Sequence, residues 1–134
     1  MGAWGTRAFE NDSANDWAYD LADVQDLSVI GETIAACASS EYVDDRLGAQ
    51  TVAACDVLAR LLGKSRYCDA YTEKIDIWVR DHPQPVPPKL RSQAVEALDK
   101  IRSDDSELAE EWSEDESTYE EWAADLDELA AALQ

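Results

Sequence analysis

The side chains in this 134-residue chain that could do chemistry are its 30 acids, one histidine and three cysteines. Thirteen acids lie between Ser103 and Gln134 without a single base, densest at Glu107, Glu110, Glu111, Glu114, Asp115, Glu116, Glu120 and Glu121. Paired carboxylates hydrolyse bonds when one of them is desolvated enough to hold a proton near neutrality. Spacing alone shows neither the cleft nor the desolvation. Calcium binding would need a loop with a turn glycine, and neither Asp12 to Asp16 nor Glu114 to Glu116 provides one. His82 is the only candidate base for a nucleophilic triad, and it stands at a helix end before Pro83, where a capping or surface role is expected. Cys37, Cys55 and Cys68, at spacings of 18 and 13, fit neither a zinc site nor a paired disulfide framework. Free thiols in a reducing compartment are expected. There is no phosphate-cradling glycine loop and no nucleophile elbow. The sequence therefore predicts no catalytic residue, no metal, no cofactor and no enzyme.

The acids have another use. Like charges one helical turn apart cost a few tenths of a kcal/mol each, and here no lysine interleaves to relieve them. Such a surface suits a basic protein partner, with Trp112 beside the run as a candidate anchor. A net charge of −19 disfavours direct contact with nucleic acid or an anionic membrane. The leading expectation is a non-catalytic protein–protein interaction module, specifically an immunity or inhibitor protein that neutralises a basic toxin enzyme. Two alternatives come from other classes: a carboxylate-based or metal-dependent hydrolase, and a DNA mimic.

These residues need a scaffold, and the periodicity supplies an all-α one. At this length, 46% hydrophobic, the chain has the material for one core without staples. Six to seven short helices in a compact bundle over residues 1–134 are predicted. Asn11 or Asp12 starts a helix bearing Ala14, Trp17, Ala18 and Leu21 on one face. A second runs from Ser28, as cap, to about Ser39, with Gly31 inside it either as a weak point or as a close helix contact. Tyr42 is expected to turn inward in the connection that follows. An alanine-rich helix from about Arg46 to Leu62, stopped by Gly63, is the expected centre.

Asp69 to Arg80 carries Tyr71, Ile75, Trp78 and Val79 at helical spacing, and the Pro-rich 83–88 segment is a stiff strap between helices. Pro88 opens the next helix, with Leu90, Ala94, Ala97, Leu98 and Ile101. Capping boxes from Asp104 to Glu107 and from Ser117 to Glu120 would start the last two helices. The final one carries Tyr119, Trp122, Leu126, Leu129 and Leu133. Trp4, Phe9, Asp12, Trp17, Trp78 and Trp122 are assigned structural roles, with Trp4 mostly buried and Trp4→Ala costing about 3 to 5 kcal/mol.

No 18-residue apolar run and no basic-then-apolar start is present, so a cytoplasmic location is expected. Gly2 and Thr6 match an acylation pattern, but the acidic surroundings lack the second, basic signal that stable anchoring needs.

The opening Met1-Gly2-Ala3-Trp4-Gly5-Thr6, with Phe9, Asn11-Asp12, Ala14 and Asp16-Trp17, resembles a bacterial family known as domain of unknown function 4259. Ala53-Ala54-Cys55-Asp56-Val57-Leu58-Ala59, Trp78, Ser106-Glu107-Leu108 and Trp112 extend the resemblance over nearly the whole chain. Arg7 stands where a glycine is expected and Cys55 where alanine is more usual. The resemblance implies a small, soluble bacterial domain and brings no activity or catalytic residues with it.

Overall fold

A computed structural model describes residues 3–134. Met1 and Gly2, and with them the acylation match, lie outside the described residues. Among the described residues seven helices follow one another: α1 Asp12–Ala22, α2 Ser28–Ser39, α3 Asp45–Leu61, α4 Glu73–Asp81, α5 Pro88–Ile101, α6 Glu107–Trp112 and α7 Glu116–Leu133. Among the described residues there is no strand, only two isolated bridges, Ala3 with Asn11 and Val43 with Ser106. The all-α expectation is met, and no described helix is long and apolar enough to cross a membrane.

The centre is α3, which packs against each of the other six helices. Every residue from Thr51 to Arg60 is buried. Ala49, Ala53, Ala54 and Ala59 give this helix a thin profile, so neighbours on several sides approach its backbone closely. Gly63, at φ 77°, ends it. There Gly63 N–H donates to Arg60 O at 3.0 Å and Lys64 N–H to Ala59 O at 2.9 Å, closing the helix's open carbonyls.

Local expectations meet mixed outcomes, each with a physical reason. Asn11 caps α1 by accepting from Ala14 N–H at 2.8 Å, while Asp12 is exposed in the first turn and caps nothing. Ser28 is the first residue of α2 and not its cap; Asp26 Oδ1 accepts its amide. Tyr42 is exposed and Val43 takes the inward place, because Val43 is paired on both sides, its N–H to Asp105 O and its carbonyl to Glu107 N–H. Helix α4 starts at Glu73, since Asp69 uses its carboxylate on the amides of Tyr71 and Thr72 and so makes a turn. That leaves Tyr71 exposed. Neither capping box forms: Ser106 caps α6 through Ala109 N–H, and Asp115 caps α7 through Ser117 and Thr118 N–H.

Trp17, Trp78 and Trp122 are buried, with Trp17 Nε1 on Thr33 Oγ1 and Trp78 Nε1 on Val24 O, each at 2.9 Å. Phe9 is buried completely, but Trp4 is 48% exposed, which corrects the expectation that both aromatics of the opening segment face inward. The chain there turns tightly enough for Trp4 N–H to donate to Glu10 O at 2.9 Å, so the two rings leave the turn in different directions.

Gly31 faces open space and makes no close contact; Gly48 is the glycine that does, because a Cβ there would lie 2.8 Å from Leu108 Cδ1. Gly31→Ala is therefore expected to stabilise the protein by about 0.5 to 1 kcal/mol, read as a higher urea midpoint at unchanged slope.

Candidate functional site

The Val43–Ser106 bridge sets the start of α6 beside the start of α3. Glu107 then reaches back to accept Asp45 N–H through Oε1 at 2.8 Å, satisfying one of the amides that a helix start leaves open. Glu111 follows one turn later on the same face. Asp45, Glu107 and Glu111 each offer a carboxylate oxygen, and these lie within 4.8 Å of one another. Hard divalent cations take such oxygen sets, so these are the residues that could hold one. Glu111 Oε2 is shut off from solvent and has no hydrogen-bond partner among the described residues. Desolvation, hydrogen bonding to Asp45 and repulsion from Asp45 and Glu107 push the Glu111 carboxyl up to about 7. Protonation of Glu111 relieves that repulsion.

Asp45 and Glu111 line a cavity of about 50 Å³, walled also by Ala3, Ala8, Trp112 and Trp122. It has room for a water or an ion and not for an organic substrate, whose sites run to several hundred Å³.

The sign of the Glu111 effect is testable. From its ordinary value of 4.5 up to about 7, the folded protein holds a proton at Glu111 that the unfolded chain has released. Stability from this group is thus present at low pH and lost as pH rises through that window. Urea unfolding of wild type and Glu111→Gln should give a difference that moves against wild type by about 1 kcal/mol from about pH 5 to pH 7.5, after discounting for solvent screening.

The nine residues singled out at this end of the chain divide. Five are built into the fold: Glu107 and Glu111 in the triad, Glu110 accepting Tyr42 Oη–H at 2.6 Å, Trp112 stacked on Trp122 with centroids 6.4 Å apart, and Asp115 as a helix cap. Glu110 pushes the Tyr42 phenol up to about 12, and the Ser117 and Thr118 bonds hold the Asp115 carboxyl below its usual range. Trp112 is only half-buried. The other four, Glu114, Glu116, Glu120 and Glu121, are exposed and have no basic partner among the described residues.

Asp45 is not singled out by the sequence, where Glu41 to Asp45 reads as the connection before the alanine-rich helix. A second polar cluster was also missed. Arg60 bonds Asp56 at 2.7 Å, Asp76 at 2.8 Å and the Tyr67 carbonyl at 2.8 Å. Arg66 bonds Asp125 at 2.7 Å and Asp56 at 3.3 Å. The one signal was a charged pair, Asp56 and Arg60, one turn apart on a helix of small residues. These ion pairs tie α3 to α4 and α7, which is a structural task.

His82 also has a structural task. Its Nδ1 lies 2.9 Å from the Trp78 carbonyl, which can only accept, so that nitrogen carries the proton and closes the end of α4. Cys37 and Cys55 are buried, Cys68 is exposed, and all three are free thiols. Burial pushes the Cys37 and Cys55 thiols up, away from reactivity.

No curated protein and no solved structure matches the chain. A family model described as a domain of unknown function (DUF4259) matches residues 2–125, spanning the opening segment, α3, the carboxylate triad and most of α7. The chain belongs to that family.

Proposed function

We propose that the protein is a non-catalytic interaction module of the bacterial cytoplasm that binds a basic protein through its α6–α7 end, as an immunity protein holds a toxic enzyme. The supporting observation is the row Glu114, Glu116, Glu120 and Glu121, exposed on the corner into α7 and without a basic partner among the described residues. Within a folded chain these charges only repel, and a cationic surface placed against them turns that repulsion into faster and more selective association. Buried, unreactive Cys37 and Cys55 suit a reducing compartment.

The test uses the triple reversal Glu114→Lys, Glu116→Lys and Glu120→Lys, which touches no capping or buried group. With a basic toxin encoded beside this chain as ligand, the association rate should fall by at least about tenfold and lose most of its salt dependence. The melting temperature should hardly change. Unaltered binding by the folded variant would refute the proposal, and displacement of this chain by duplex DNA from a DNA-binding protein would favour the DNA-mimic alternative.

A further inference from the structure

Trp4 gives the opening segment an outward face that the fold does not use. Although 48% exposed, it is held in place by its amide on Glu10 O at 2.9 Å and by the neighbouring Ala3–Asn11 bridge. The Tyr71 ring backs it at 5.0 Å, tilted by 47°. Trp4 lines a solvent-open recess of about 680 Å³ together with Trp112, Glu10 and Glu121. Trp112 is itself steadied by its stack on Trp122, at an interplanar angle of 18°. Glu10 is fixed by accepting the Arg7 amide at 3.0 Å. Arg7, the one base in the lining, has its guanidinium over the Tyr67 ring at 4.8 Å. Two indole rings with two carboxylates beside them attract a planar cation by its charge and by the negative faces of the rings.

We propose that this recess, between the opening segment and the α6–α7 corner, receives an arginine side chain of the basic protein partner. The proposal rests on the interaction reading above and names the place where one residue of that partner is gripped. The acidic row steers the partner in, and the two tryptophans that line the recess supply the short-range selectivity.

An arginine hexapeptide, titrated at about 150 mM salt and followed by tryptophan fluorescence, tests it. Wild type should bind with quenching. Trp4→Ala and Trp4→Leu should each weaken binding about tenfold, while Trp4→Phe, which keeps a π face, should restore most of it. Glu121→Gln should weaken binding with the opening segment untouched, and circular dichroism with a melting curve verifies that each variant is folded. If the Trp4 and Glu121 variants bind like wild type while the Glu114, Glu116 and Glu120 reversal weakens binding, the recess is overturned and the basic-partner reading stands. If no variant, the reversal included, alters binding, or wild type does not bind, both are overturned.

Discussion

Arg60→Ala is expected to destabilise the protein by about 3 to 5 kcal/mol, the cost of leaving buried charge without its partner. The Arg60 and Asp56 side chains are each 1% exposed and bonded at 2.7 Å. Burial acts to lower the Arg60 pKa, and the carboxylates of Asp56 and Asp76 more than reverse it, so the guanidinium stays charged inside the fold. Removing it strands Asp56 with only the 3.3 Å contact to Arg66, frees Asp76, and leaves the Tyr67 carbonyl without its donor. The check is urea unfolding at pH 7, where the midpoint should collapse at unchanged slope. An apolar pair, Arg60→Met with Asp56→Leu, should lose clearly less than the sum of the two single changes, because it removes both charges together. A loss below about 1 kcal/mol for Arg60→Ala would show that the cluster is solvated and does not brace α3 against α4 and α7.

Phe9→Ala is expected to cost about the same, 3 to 5 kcal/mol, through lost transfer energy and an unfilled cavity. Phe9 is 0% exposed, its amide donates to Tyr67 Oη at 3.0 Å, and its carbonyl accepts from Asn15 Nδ2 at 2.8 Å. Ring and backbone are therefore held at once, and the opening segment is pinned there. Trp4→Ala, by contrast, should cost only about 1 kcal/mol, since half of that side chain already faces water. Equilibrium unfolding of the two variants side by side is decisive. A Trp4 loss equal to or above that of Phe9 would mean that the pin sits at the other ring.

The opening segment illustrates what a single sequence discloses. Two aromatics among small residues announced an anchor, and there is one; which ring goes inside depends on how the chain turns between Trp4 and Glu10, and that turn is set by backbone bonds without a periodic signature. Helices α1, α3, α5 and α7 could be read because Trp17, Leu58, Leu98 and Leu126 each recur with apolar neighbours at the helical period. The start of α4 could not, since Asp69 closes a turn with the same side chain that would cap a helix. The Asp45, Glu107 and Glu111 triad is hidden for a different reason. Its two halves lie 62 residues apart, and tertiary contacts such as the pairing of Val43 with Ser106 and the packing of Leu108 on Gly48 bring them together. Of the acidic run, the sequence showed charge density but not the difference between Glu110, which is tied to Tyr42, and Glu114, which is tied to nothing.

The wholly enclosed stretch of α3 from Thr51 to Arg60 bears on how the molecule breathes. Its partners come from helices on both sides of the proline-rich connector, so baring it means separating parts of the chain that lie far apart in sequence. Its amides should exchange with deuterium only when the whole chain opens, and those of the opening segment and α6 should exchange sooner. The same enclosure makes α3 the element through which a displacement of its axis would reach all six of the other helices.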